Sequence, residues 1–263
     1  AVAGAIILII VVLMAIFGPM MCKYSYAEQN MSLRNASPSM DHWFGTDRMG
    51  RDIFVRILFG ARISLAVGCL AAVINLIVGT IYGGIAGYVG GKVDMVMMRI
   101  VDIIYSVPAM LYIVLIMLIF GASVISIMLG ISITCWIDMA RIVRQQVKSL
   151  KEQEFTMAAF VLGASPSRIL IKHLLINTMG QIIVTVTLMV PQAIFTEAWL
   201  SFLGVGISAP MASWGTLAQD ARQLIMTYPM QTVYPMIAIC ITIFSFNFVG
   251  EGLEKALDPK RKR

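Results

Sequence analysis

Apolar residues along this 263-residue chain fall in long runs separated by short polar stretches, without the period-two alternation of half-buried strands. The runs cover about residues 1–17, 64–88, 101–120, 124–147, 174–202 and 233–249. Most approach or exceed the ~20 residues that cross roughly 30 Å of hydrocarbon at about 1.5 Å per residue. Lipid offers no partner to backbone N–H and C=O groups, so runs of this kind predict helices. The fold class expected is all-α, a polytopic membrane protein with six transmembrane helices.

Polar stretches give the organisation. A first transmembrane helix is expected over 1–22, then an extracytoplasmic segment over 23–63 ending in an amphipathic helix over 52–62. A five-helix core follows over 64–252, interrupted by a cytoplasmic loop at 148–172, and a basic cytoplasmic tail closes the chain over 253–263. The first run opens without a methionine or a basic leader, and no small-residue cleavage site precedes Lys23. It therefore reads as a membrane anchor rather than a signal-peptide core.

Composition agrees with this picture: 59% of residues are apolar and 13% charged, against roughly half and a quarter in soluble domains. The net charge of +6 does not point to nucleic acid, because the Lys and Arg residues form no basic groove interleaved with aromatics. They follow the positive-inside rule instead. Lys92, Arg99, Arg141, Arg144, Lys148, Lys151, Arg168, Lys172, Lys255 and the tail Lys260, Arg261, Lys262 and Arg263 fall on one side, which places both termini in the cytoplasm. Arg48, Arg51, Arg56 and Arg62 crowd the other side and locally oppose the rule.

Candidate chemistry is sparse. Cys22, Cys69, Cys135 and Cys240 have no paired spacing, and His42 and His173 are far apart, so no disulfide framework, metal site or cofactor is expected. Gly90, Gly91 and Lys92 approach a phosphate loop, but Ala86 stands where its first glycine belongs and Val93 where Ser or Thr would hold magnesium. No span carries a nucleophile with a base at helical spacing, so no enzyme site is expected. A secondary transporter would want paired intramembrane acids and inverted repeats, and no such repeat is present.

Within the spans, Gly79, Gly83 and Gly87 line one helix face suited to close packing. Pro108 and Pro191 would kink the third and fifth spans. Asp138 precedes Arg141 by three residues, and a same-face pair is expected. Asp102 and Glu197, near predicted span boundaries, join the two prolines as candidates for a path or gate.

The segment KSLKEQEFTMAAFVLGASPSRILIK, residues 148–172, has helix formers over 152–162, Gly163 suited to a left-handed cap, and Ser165-Pro166 suited to restart a helix. On spacing alone it is either a compact docking knob or an amphipathic helix lying on the lipid. It resembles the cytoplasmic loop of ABC importer permeases, with Met157, Ala158, Ala159, Gly163 and Ile169 at the family's Glu-Ala-Ala, Gly and Ile positions. Met157 stands in place of the family's glutamate and Ile176 in place of its proline, with Glu152 and Glu154 nearby. HWFGTDRMGRDIFVRILFGARISL (42–65), EAWLSFLGVGISAPMASWGTLAQDAR (197–222) and FVGEGLEKALDPKRKR (248–263) resemble the oligopeptide, dipeptide and nickel permease group, the oligopeptide branch most closely.

The resemblance implies a type I ABC importer permease: a non-catalytic subunit in the cell membrane, carrying oligopeptides, or alternatively dipeptides or nickel. It implies a second, related permease, two ATPase subunits that bind ATP, and an extracytoplasmic binding protein that delivers substrate. Glu152, Glu154, Met157, Ala158, Ala159, Leu162 and Gly163 would form the ATPase-coupling loop, with the two alanines allowing a partner backbone to approach.

Overall fold

In a computed structural model, residues 1–207 and 210–257 are described; Ser208 and Ala209 of the 197–222 motif and the basic residues 260–263 lie outside them. The described residues form eleven α-helices and four short 3₁₀ or π-helical segments, with no strand beyond an isolated bridge between Thr46 and Asp52. Five helical stretches are long and apolar enough to cross a membrane, and a bent pair makes a sixth. Helix α1 (Val2–Met21) is the first. The second joins α2 (Ile53–Ile74) to α3 (Thr80–Val89) through a π-helical turn at Asn75–Gly79. The expected amphipathic helix at 52–62 is therefore no separate element: it is the first three turns of a 37-residue stretch. Its burial explains why, since Val55, Arg56, Leu58 and Ala61 all face the protein.

The third span is broken into α4 (Gly91–Ser106) and α5 (Ala109–Phe120), which meet at 76°. Pro108 lacks an N–H and pushes Val107 out of the helical region, to φ −93° and ψ 126°. Pro191 has no such effect, because α9 (Ile176–Phe202) runs unbroken through it. Before α9 come α6 (Val124–Lys151), α7 (Glu154–Val161) and the single turn α8 (Pro166–Arg168), which passes through a π-helical segment at Ile169–Leu175. After it come α10 (Trp214–Ala221) and α11 (Pro229–Leu257).

Three buried apolar clusters hold the bundle. One joins Ala15, Ile57, Ile194 and Trp214 from α1, α2, α9 and α10. A second joins Val67, Ile113, Ile131 and Ala193 from α2, α5, α6 and α9. The third, at the opposite end of α2–α3, joins Val147, Ala159, Ile169 and Ile182 and carries α7.

The glycine face does pack. A Cβ at Gly79 would stand 2.5 Å from the Met139 Cβ, one at Gly87 2.7 Å from the Arg144 carbonyl oxygen, and one at Gly83 would overlap the Ala140 carbonyl. Backbone contact between α3 and α6 thus replaces the hydrophobic drive that lipid removes. Gly83→Ala should lower stability by about 1–3 kcal/mol through overpacking. Gly84→Ala, whose Cβ would meet Leu175 at 3.5 Å and Leu170 at 3.7 Å, both ordinary van der Waals contacts, should not; thermal unfolding of the two variants in detergent checks the difference.

Candidate functional site: an exposed knob, a wall cavity and two polar locks

At one end of the bundle, α6 stops at Lys151, Glu152 and Gln153 form a turn, and α7 begins at Glu154. The Thr156 hydroxyl donates to the Leu150 carbonyl at 2.8 Å and pins the knob to the end of α6. Gly163 ends the knob at φ +82°, and Ala164 N–H closes back on the Ala159 carbonyl at 3.0 Å. This is the left-handed termination that glycine supplies without a Cβ penalty. The outer face is apolar and exposed: Met157 57%, Phe160 71%, Val161 83% and Leu162 86%. Ala158, Glu152 and Glu154 are also exposed. Ala159 is not, since it packs inward on the cluster of Val147 and Ile169, so of the two alanines only Ala158 is open to a partner.

Midway along the bundle lies a cavity of about 480 Å³, built at the α4–α5 bend. Tyr105 and Pro108 supply one wall, Thr134 and Asp138 of α6 another, and Asn75 and Gln192 the rest. Of the four path or gate candidates, the structure brings only Pro108 to this cavity. Asp102 lies outside it and takes Arg141 in an ion pair at 3.0 Å. Arg141 also covers the Tyr105 ring at 4.5 Å from its centroid. The Asp138–Arg141 pair expected from spacing does not form, because Asp102 on α4 reaches the guanidinium first and Asp138 turns to the cavity.

Glu197 and Pro191 are buried in the protein rather than on the cavity. Glu197 accepts hydrogen bonds from Ser64 at 2.9 Å and Ser201 at 2.8 Å. Ser64 in turn accepts from the Trp214 backbone N–H at 3.4 Å, and the Trp214 indole donates to the Ile57 carbonyl at 3.0 Å. Glu197 thus ties α9, α2 and α10 together. A second lock lies beyond it. Asp47 accepts from Arg51 at 2.7 Å and Arg56 at 2.6 Å, and Asp220 of α10 meets Arg51 at 3.2 Å, Arg56 at 3.3 Å and Arg48 at 3.5 Å. Burial acts to raise the Asp47 carboxyl, but the Arg56 charge, hydrogen bonds from the Arg51 and Met49 backbone and the Arg51 charge outweigh it and hold it below 3.8.

Residues 79–263 match the family model described as the binding-protein-dependent transport system inner membrane component. The chain belongs to this family of transport permeases. Residues 1–38 further match the N-terminal TM domain of oligopeptide transport permease C. The chain is 51% identical to the oligopeptide transport system permease protein OppC of Bacillus subtilis over 263 residues, all of this chain and 86% of the relative. It is 47% identical to the dipeptide transport system permease protein DppC of the same organism, covering all of this chain and 82% of that one. With OppC of Escherichia coli K12 it shares 44%, over 99% of this chain and 87% of the relative. Among solved structures, the MetNI methionine ABC transporter in an inward-facing conformation matches with TM-score 0.63 at 17% identity, over 77% of this chain and 96% of that one. The permease fold is shared between them.

Sequence reasoning missed Ser64, Trp214, Asp47 and Asp220. Each acts through a partner more than 100 residues away or through a burial that no local pattern reveals, as the 133-residue separation of Ser64 and Glu197 illustrates. The one available signal was the excess of arginine at 48–62 on the side where the positive-inside rule wants few. Arg51 and Arg56 are neutralised by Asp47 and Asp220, and Arg62 donates to the Ala15 and Ile16 carbonyls near the end of α1.

Proposed function

We propose that this chain is the transmembrane permease subunit of an ATP-driven oligopeptide importer, forming half of the translocation path beside a second, related permease. The observation that carries the reading is the exposed apolar knob of Phe160, Val161 and Leu162, which stands outside every span and ends on the left-handed cap at Gly163. A soluble partner that buries this face gains apolar area and a lever on α6 and α9, the helices that flank the knob. In this reading two ATPase subunits bind and hydrolyse ATP, and their closure rocks the spans between inward-open and outward-open states. The chain itself is non-catalytic, and an extracytoplasmic binding protein delivers the cargo.

Both termini lie in the cytoplasm in this reading, the knob with them. The orientation rests on the larger number of Lys and Arg residues on the knob's side, which Arg48, Arg51, Arg56 and Arg62 oppose locally without reversing. Dipeptides are the second reading for the cargo, favoured by the 47% identity to a dipeptide permease.

Proteoliposomes holding this chain, its partner permease and both ATPases, with loaded binding protein outside and ATP inside, should accumulate labelled oligopeptide. Omitting the ATPases should abolish accumulation. Uptake by this chain alone, with no nucleotide-hydrolysing companion, would sink the reading.

A further inference from the structure

The cavity at the α4–α5 bend carries a pattern that the coupling mechanism does not use. Asp138, an exposed residue, lines it, and among the described residues no Lys, Arg or His side chain pairs with this carboxylate. Its nearest sequence partner, Arg141, is held by Asp102 at 3.0 Å and by the Tyr105 ring. A second acceptor lies on the same wall. Asn75 is 2% exposed, its amide N–H₂ points to Met189, and its Oδ1 has no hydrogen-bond partner among the described residues. A buried acceptor left without a donor is costly unless something else supplies one. Asn75 also opens the π-helical turn Asn75–Gly79, and such turns recur at functional positions because they re-aim a side chain.

Two acceptors with no cation between them, on a wall that also carries Tyr105, Ser106, Thr134, Gln192 and Thr196 among apolar groups, match a ligand with several N–H donors and positive charge. An ammonium group fits, and a carboxylate would be repelled. Resting on the reading of this chain as a peptide permease, we propose that Asp138 and Asn75 form a charge-selecting station in the translocation path that receives cationic groups of the cargo. The α4–α5 bend keeps the station inside the bundle, because irregular backbone at membrane depth persists only where it lines a cavity or is covered by protein. Arg141, clamped one turn further along α6, keeps its own charge off the station.

The test uses the complete transporter in proteoliposomes, with Ala-Lys-Ala and Ala-Glu-Ala each delivered by saturating loaded binding protein. Transport of each peptide is measured per ATP hydrolysed. Asp138→Asn should lower the ratio of Lys-peptide to Glu-peptide transport roughly tenfold, the size of a lost hydrogen bond to a charged group. Asp138→Glu should restore most of it, which a merely structural role would not predict. Asn75→Leu should lower the ratio in the same direction by a smaller factor. Equal slowing of both peptides by Asp138→Asn, or no change in the ratio, overturns the station. A wild-type complex that moves neither peptide would instead overturn the peptide reading beneath it.

Discussion

Asp47→Ala should destabilise the folded chain by about 3–5 kcal/mol, the usual cost of stripping one partner from a buried ion cluster. Asp47 alone accepts from Arg51 Nε, Arg56 Nη1 and the backbone N–H groups of Met49 and Arg51, and Arg51 and Arg56 are 4% and 2% exposed. Without it two buried guanidiniums share only Asp220, whose contacts are longer. The segment at 47–56 would then lose its hold on α10. Asp47→Asn keeps the shape and part of the hydrogen bonding and should cost less. Unfolding followed by the fluorescence of buried Trp214 measures both. The same carboxylate sets a sign for acid: its folded pKa lies below 3.8, so its contribution is complete above that value and fades as pH falls further. Destabilisation by Asp47→Ala should therefore shrink in strongly acidic buffer, and a penalty constant down to the lowest accessible pH would contradict the pairing.

Gly163→Val should uncouple nucleotide hydrolysis from transport while leaving the chain inserted and folded. Nothing lies within 4 Å of a Cβ built at Gly163, so the substitution meets no steric barrier from neighbours. Its whole cost comes from φ +82°, a region that charges a β-branched residue about 1–3 kcal/mol. The cap then relaxes toward negative φ and turns the face of Phe160 and Leu162 away from its set direction. Transport per ATP should fall in the order Gly, Asn, Ala, Val, because Asn tolerates the left-handed region best after Gly. Equal coupling across the four residues would show that the cap does not aim the knob.

These two predictions mark what was and was not legible in the sequence. The six apolar runs were plain, because lipid imposes continuous hydrophobicity on a span whatever its neighbours. So was the cap, since Gly163 and Ser165-Pro166 act within a few residues of themselves. Helix ends were not, because α2, α6 and α11 extend past the apolar runs into protein-covered or aqueous regions where hydropathy no longer reports them. Charge partners were least legible. Arg141 had Asp138 on its own helix and Asp102 one helix away, and only the packing of α4 on α6 decides between them. The station at Asp138 and the ion cluster at Asp47 share that origin.

The break at Pro108 has a bearing on how the protein is made. Arms of 16 and 12 residues reach about 24 and 18 Å at ~1.5 Å per residue, so neither alone spans the bilayer. The carbonyl groups freed at the break are met by Tyr112, which donates to Ile104 at 3.2 Å, and by Ser106, which donates to Ile103 at 2.7 Å. The bent pair is thus a poor substrate for one-at-a-time insertion and a good one for insertion as a hairpin with α6, against which α5 packs. During biogenesis the third hydrophobic segment should wait at the insertion machinery until the fourth has been synthesised.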